Sequence, residues 1–157
     1  MIFKKLALNI KLMLIAFSIN AMAQVETPIE QLDSLQKISP RPVVFYFHTD
    51  WCAYCAMQSK QIAKDIQLKE LLNKYFYFVN FNAESKSTFY LNNKSYTTHK
   101  QYKYALHGIV EHFLGKENEI GYPAWVITDK NYISLFRYQG LLNRKKLKDI
   151  LIHLSQQ

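Results

Sequence analysis

The stretch Val-Val-Phe-Tyr-Phe-His-Thr-Asp-Trp-Cys-Ala-Tyr-Cys, residues 43–55, decides the architecture of this 157-residue chain. Its first five residues are apolar or aromatic, which is typical of a short strand buried on both faces. A four-residue loop follows, and Cys52 and Cys55 then begin a segment whose apolar residues recur at helical spacing. The stretch therefore predicts a buried strand that leads directly into a helix, with two cysteines at the junction.

Apolar patterns on both sides of this stretch indicate a βαβ unit. Residues 27–39 predict a first helix, which starts at a Thr-Pro pair and ends before Pro40. Apolar residues between Met57 and Leu72 predict one long helix that starts at the cysteines, and residues 75–81 predict a second buried strand. A strand, a helix and a second strand in this order form a unit with parallel strands.

The second half of the chain predicts an insert, a strand pair and a last helix. Turn residues, a glycine and a capping asparagine separate its apolar segments. The predicted elements are a hairpin at residues 88–97, a helix at 98–114 closed by Gly115, strands at 124–128 and 132–138, and a helix from Asn143 onward.

The first 23 residues have the layout of a secretory signal peptide. Three lysines lie within the first 11 residues, an uncharged and mainly apolar run covers residues 12–19, and alanines stand at positions 21 and 23. We therefore expect cleavage before Gln24 and export of residues 24–157 as one domain. The alternative is a membrane anchor, but the run is far shorter than the ~20 residues that cross a bilayer.

The exported part carries a formal charge of +5, because it keeps 17 of the 20 basic residues and all 12 acidic ones. The basic residues are spread along it, apart from a cluster at residues 144–148 that is typical of a solvated helix face. Nucleic-acid binding would require clustered basic residues with interleaved contact residues, so we expect no nucleic-acid partner.

Both cysteines of the chain lie in one motif, three residues apart. Export would place them where disulfides persist, but two cysteines alone make no disulfide framework. A disulfide that closes so small a ring adds little loop entropy, so a purely structural bridge is the weaker interpretation. A zinc site would need four ligands, and the histidines that would have to complete it are His48, His99, His107, His112 and His153.

Three separated features resemble the thioredoxin family. They are the Trp-Cys-x-x-Cys motif after an apolar strand, the pair Tyr122-Pro123 before the third core strand, and the strand–turn–strand–helix end of the chain. The resemblance covers nearly all of residues 24–157, and residues 122–127 are similar to exported bacterial thioredoxin-like proteins. It implies an α/β thioredoxin fold: a central mixed sheet of four to five strands, flanking helices, and a hairpin-plus-helix insert before a cis-proline.

The resemblance also implies a role for each residue around the motif. Cys52 would be the nucleophile, because unpaired N–H groups and the dipole at a helix start stabilise a thiolate. Cys55 would be the resolving cysteine, so the redox-active disulfide Cys52–Cys55 would serve without a metal or another cofactor. Trp51, Tyr122 and the cis Pro123 would bind substrate.

One departure from the family concerns proton transfer. Many thioredoxins have a buried Asp six residues before the first Cys, and here that position holds Tyr46. His48, Asp50 and Glu84 are the alternative candidates for a proton relay. The Ala53-Tyr54 pair between the cysteines brings no charge to the thiolate, which favours a reductant over a strong oxidant.

We therefore expect an enzyme, a thioredoxin-like protein-disulfide oxidoreductase in the periplasm or otherwise outside the cytoplasm. Its expected partners are cysteine-containing exported proteins and a membrane protein that donates or accepts electrons. The alternatives are a metal-binding protein and a non-catalytic binding module on the same fold, with the aromatic insert at residues 89–104 as its contact surface.

Overall fold

The structure, a computed structural model, describes residues 26–99, 105–115 and 120–156. The expected signal peptide at residues 1–23 lies outside these ranges, as do residues 100–104 of the predicted insert helix. The elements in chain order are a 3₁₀ turn (Ile29–Gln31), α1 (Leu32–Ile38), β1 (Val43–His48), α2 (Ala53–Lys64), α3 (Ile66–Tyr75), β2 (Tyr77–Asn82), β3 (Phe89–Leu91), β4 (Lys94–Tyr96), β5 (Thr98–His99), β6 (Leu106–His107), α4 (Gly108–Leu114), β7 (Ala124–Thr128), β8 (Ser134–Gln139) and α5 (Arg144–Leu154).

Four strands form the central sheet, in the order β2-β1-β7-β8. β1 pairs in parallel with β2 and antiparallel with β7, and β7 pairs antiparallel with β8. The predicted mixed sheet flanked by helices is therefore confirmed. No helix formed by the described residues is long and apolar enough to cross a membrane.

The side chains of β1 alternate between two hydrophobic clusters, one on each face of the sheet. Phe45 and Phe47 belong to the cluster that α1, the hairpin and α4 cover. Val44 and Tyr46 belong to the opposite cluster, which α2, α3 and α5 cover. Burial on both faces explains why this strand has no alternation of polar and apolar residues.

Polar groups shorten the first predicted helix and divide the second into two. The first helix begins at Leu32 rather than near Thr27, because Thr27 donates its backbone N–H to the carbonyl of Phe78 in β2, 2.6 Å away, and no side chain caps the start. The predicted long helix is two helices, because the Asp65 carboxylate caps α3 by accepting the N–H of Leu68 at 3.0 Å. This hydrogen bond lowers the pKa of Asp65.

Two strands begin two residues later than predicted, and both shifts have local causes. Tyr75 still belongs to α3, so β2 begins at Tyr77. Tyr132 lies in the turn after β7 with a φ of 64°, a left-handed conformation that a strand cannot contain, so β8 begins at Ser134.

The predicted helix at residues 98–114 is wrong at both ends of its first half. Residues Thr98–His99 and Leu106–His107 pair as the antiparallel strands β5 and β6, and among the described residues of this segment the helix covers Gly108–Leu114. His107 ends the strand and caps the helix, because its Nδ1 accepts the N–H of Ile109 at 3.3 Å. The helical spacing places His107 inside a longer helix, whereas the structure shows it as the N-cap residue of α4.

His107 also fastens the insert to the sheet, because its ring meets that of Phe81 in β2 edge-on with the centroids 5.0 Å apart. Its side chain is fully buried, and its ring stacks on Phe89 with the centroids 4.9 Å apart. Its Nε2 lies 3.0 Å from the carbonyl of Ser87. Because Nδ1 accepts a hydrogen bond, Nε2 carries the proton and donates it, and the ring is neutral. Burial lowers the pKa of His107, which keeps the ring neutral.

We expect acid to weaken this attachment. The pKa of His107 is lower in the folded chain than its ordinary value of 6.5, so its contribution is complete above that pH and declines as the pH falls below it. His107→Asn keeps a cap for α4 but loses the bond to Ser87, which should cost about 1–2 kcal/mol near neutral pH. Urea unfolding should therefore show a smaller loss of stability between about pH 7.5 and about pH 5.5 in this variant than in the wild type.

Burial also lowers the pKa values of His48 and His112, but both residues are present in the variant and in the wild type. The difference in pH dependence between the two proteins therefore reports on His107. A positive charge on His99, which lies beside it on β5, would lower the pKa of His107 further. An equal pH dependence in the variant and the wild type would contradict the prediction.

Asp33 of α1 joins three segments at one end of the sheet. Its carboxylate accepts the N–H of Asn92 at 2.8 Å and the hydroxyl of Tyr132 at 2.8 Å. The first contact holds the β3–β4 turn and the second holds the β7–β8 turn. Because Val43 pairs with Thr128 in the register of β1 and β7, this end is the one opposite the cysteines.

Candidate active site

Cys52 and Cys55 lie where β1 leads into α2, and they form a disulfide. Cys52 is the N-cap residue of α2, and its Sγ accepts the N–H of Cys55 at 3.1 Å. The N–H of Cys52 donates to the carbonyl of Thr49 at 3.3 Å, which closes the preceding loop. Cys52 is 7% exposed and Cys55 is 3% exposed, so the first cysteine is the more accessible.

The start of α2 favours negative charge on the sulfur of Cys52. The first N–H groups of a helix lack helical acceptors, and the one from Cys55 already points at this sulfur. The helix dipole acts in the same direction, and the first turn of α2 contains no acidic residue that would oppose it. A thiolate on Cys52 would keep the same hydrogen bond, so this position suits a nucleophile.

Trp51 presents an exposed ring whose orientation is fixed by two neighbours. Its side chain is 67% exposed. Its Nε1 donates to Oε1 of Glu84 at 3.1 Å, and its ring meets that of Tyr122 edge-on with the centroids 6.4 Å apart. Glu84 is held in turn, because its N–H donates to Oδ1 of Asn82 at 2.9 Å. We call Trp51, Glu84 and Tyr122 the Trp51 cluster.

The peptide bond between Tyr122 and Pro123 is cis and immediately precedes β7. Because Ala124 of β7 pairs with Phe47 of β1, this bond and the cysteine loop lie at the same end of the sheet. The carbonyl of Pro123 accepts the N–H of Gly140 at 2.6 Å. Gly140 has a φ of 115°, a conformation that favours glycine, so the glycine after β8 helps to fix the proline loop.

The three candidates for a proton relay have different environments. His48 is half-buried at the end of β1, and its ring lies 5.9 Å from that of Tyr46. Burial lowers the pKa of His48, and the nearby Asp50 carboxylate partly opposes this effect. Asp50 is exposed in the cysteine loop, and the carboxylate of Glu84 accepts the Trp51 hydrogen bond. Their role in proton transfer stays a prediction.

The sequence shows Tyr46 at the position of the family's buried Asp, but its contact with the cysteine motif was not predicted. Its hydroxyl donates to the carbonyl of Cys55 at 2.9 Å and lies 3.5 Å from Oγ of Ser59. The side chain is fully buried, and burial raises the pKa of Tyr46, so the phenol stays neutral. One feature of the sequence could have indicated this contact, namely a hydroxyl within an otherwise apolar strand. A buried hydroxyl requires a hydrogen-bond partner.

Four of the residues considered as zinc ligands have other partners. Both cysteines are in the disulfide, and both ring nitrogens of His107 are engaged within the insert. His99 lies 3.6 Å from the carboxylate of Glu111. Within residues 26–99, 105–115 and 120–156, no three His, Cys, Asp or Glu side chains are grouped so that they could hold a metal ion.

Comparison with known proteins defines the class. The thioredoxin-like domain model matches residues 30–155, and the chain belongs to this family. Its structure is similar to a thioredoxin-fold protein from Helicobacter pylori (12% identity, TM-score 0.59, 74% of this chain and 70% of that one). It is also similar to a thioredoxin from Thermus thermophilus (16%, 0.56, 81% and 83%) and a disulphide isomerase from Xylella fastidiosa (13%, 0.54, 88% and 99%). At these identities the likeness concerns the fold alone. No curated protein matches the sequence.

Proposed function

We propose that the chain is a thiol–disulfide oxidoreductase that uses Cys52 and Cys55 to reduce disulfides of proteins outside the cytoplasm. The observation that carries the proposal is the joined cysteine pair at the start of α2, with the N–H of Cys55 3.1 Å from the sulfur of Cys52. This arrangement stabilises the thiolate that disulfide exchange requires, whereas so small a disulfide ring contributes little to stability.

The proposed reaction has two exchange steps. The Cys52 thiolate attacks one sulfur of a substrate disulfide, the substrate S–S bond breaks, and the departing substrate sulfur leaves as a thiolate that takes up a proton. The Cys55 thiolate then attacks the sulfur of Cys52, and the second substrate sulfur leaves in the same way. The substrate gains two electrons and two protons, and the cysteine pair becomes a disulfide.

Trp51, Tyr122 and the cis Pro123 bind the substrate chain in this proposal. Trp51 and Tyr54 are 67% and 62% exposed, and they flank Cys52 with apolar ring surface. Exposed aromatic rings beside a reactive group suit an extended substrate segment with apolar side chains near its cysteine.

The proposed direction is reduction in an exported protein. Ala53 and Tyr54 are neutral and exposed, and they add no charge that would stabilise the thiolate as strongly as a strong oxidant requires. A reductant outside the cytoplasm needs a membrane protein that supplies electrons, which is the partner we propose. Export rests on the layout of residues 1–23, and the mass of the protein from an exporting host should correspond to a chain that begins at Gln24.

Reduction of a protein disulfide by a small dithiol tests the proposal. The purified protein should accelerate the reduction of insulin by dithiothreitol, and a variant with serine at both cysteines should not. Equal rates with and without the protein would overturn the proposal. A reduction potential of about −270 mV would support a reductant, and one of about −120 mV would reverse the proposed direction.

A further inference from the structure

We infer that Tyr46 is a positioning residue for the resolving cysteine. Its hydroxyl holds the backbone of Cys55 in place, so that the Cys55 sulfur meets Cys52 while Cys52 is bonded to substrate. The inference rests on the proposed oxidoreductase function and assigns the second exchange step a residue outside the motif.

The hydroxyl of Tyr46 has a fixed position. β1 is paired on both sides, with Asn80 and Trp125 opposite Tyr46. The phenol ring packs against the rings of Trp125 at 4.7 Å and Phe78 at 6.4 Å, and none of it is exposed. A side chain confined in this way places its hydroxyl at one point beneath α2, so Tyr46 can serve as a rigid reference for the helix.

The Tyr46 hydroxyl donates its hydrogen bond to the backbone of Cys55, the residue whose position decides the second exchange step. The carbonyl of Cys55 accepts the Tyr46 hydrogen bond at 2.9 Å. A carbonyl oxygen has two lone pairs, so this bond can add to the one that the helix itself makes. The bond therefore ties the first turn of α2 to the sheet at Cys55.

This tie matters most when the disulfide between the cysteines is open. In the oxidised form the covalent bond holds Cys55 beside Cys52. In the mixed disulfide that bond is absent, and the first turn of a helix is where fraying begins. An intramolecular attack is fast only while the reacting atoms stay close and aligned. The Tyr46 hydrogen bond restrains Cys55 in the one state in which Cys55 must attack.

Tyr46 acts by position and not as a base. Its hydroxyl donates the hydrogen bond to the Cys55 carbonyl, so the proton is already in use. Burial also raises the pKa of Tyr46, and the phenol therefore keeps its proton. A group in this state restrains the backbone without accepting the thiol proton.

Tyr46→Phe tests the inference, because it removes the hydroxyl and keeps the ring. Reduced protein is mixed with oxidised glutathione, and the release of glutathione from Cys52 is followed by rapid quenching. We expect this release to be about three- to tenfold slower, the factor that the loss of one hydrogen bond gives if it is expressed in the transition state. The equilibrium constant for forming the Cys52–Cys55 disulfide against glutathione should fall by about the same factor.

Tyr77→Phe is the matched control. The Tyr77 hydroxyl also donates to a backbone carbonyl, that of Ser39 at 2.7 Å, but it lies at the far end of β2. Tyr77→Phe should lower the unfolding midpoint while leaving glutathione release and the disulfide equilibrium at wild-type values. Wild-type values in Tyr46→Phe, or equal changes in both variants, would overturn the positioning role.

Two further results separate this inference from the proposed function. A wild-type protein that does not accelerate insulin reduction contradicts the function, whereas the glutathione equilibrium still reports on Tyr46. If Tyr46→Phe does not fold, NMR of the reduced wild type supplies the test. The Tyr46 hydroxyl proton should then be protected from exchange and close to the first turn of α2, and a freely exchanging hydroxyl would overturn the inference.

Discussion

Cys52→Ser is expected to lower the rate of dithiol-driven disulfide reduction about a thousandfold or more, to the level of the uncatalysed exchange. A serine hydroxyl does not ionise near neutral pH and forms no disulfide, so the first exchange step is lost. The fold should be retained, because the serine oxygen can accept the N–H of Cys55 as the cysteine sulfur does at 3.1 Å. Insulin reduction measures the rate, and urea unfolding of the reduced proteins checks the fold.

Ala63→Ser is the control for Cys52→Ser. Ala63 lies on α2 and is exposed near its C-terminal end, so this change adds a hydroxyl to the same helix far from the sulfurs. It should leave the rate unchanged. Activity of Cys52→Ser clearly above the background would show that Cys52 is not the attacking cysteine.

Cys55→Ser is expected to reduce turnover about as far, but with a different product. Cys52 can still attack the substrate, whereas the second step has lost its thiolate, so each chain should accumulate one disulfide-linked substrate. The Cα atoms of the two residues are 5.2 Å apart, so Cys55 is within reach of a mixed disulfide on Cys52. Mass spectrometry after exposure to oxidised glutathione should find the adduct on nearly every Cys55→Ser chain.

The double variant with serine at both positions separates trapping on Cys52 from unspecific reaction. It should form no adduct under the same conditions. A Cys55→Ser protein that also remains free of adduct would contradict the two-step mechanism, even if Cys52→Ser is inactive.

The junction of β1 and α2 could be predicted because its signals are local. A continuous apolar strand, a short loop and a helical pattern lie within about 30 consecutive residues, and both cysteines stand at the change of period. Pro123 could be placed before β7 for the same reason. In these segments the residues that determine the conformation are neighbours in the chain.

The hairpin of the insert was predicted correctly, whereas the pairing of β5 with β6 could not be predicted because distant partners determine it. The N–H of His107 donates to the carbonyl of Ala83, and the N–H of Gly108 donates to the carbonyl of Thr97. Helical spacing alone carries no information about such contacts, so the sequence pattern predicts a helix where β5 and β6 form. Tyr46 is a similar case, since the pattern indicates that it is buried but does not identify its partner on α2.

Asp65 itself indicates the break between α2 and α3, but the continuous apolar pattern of the two helices obscures it. A helix can begin anew after one non-helical residue, and Asp is among the preferred caps. Asp65 has a φ of −92° and a ψ of 100°, and its carboxylate accepts the N–H of Leu68. The apolar residues of α2 and α3 continue with little change of phase across this residue, so the pattern suggests one helix.

The Asp33 contacts and the candidate active site lie at opposite ends of the sheet, so selection or engineering can change each of them independently. Asp33, Asn92 and Tyr132 lie beside one end of β1, and the cysteines and the Trp51 cluster lie at the other, six residues or about 20 Å away. Substitutions separated by such a distance generally have additive effects on stability. Substrate preference can therefore be altered at one end and heat tolerance raised at the other, and the two sets of changes can be combined in one chain.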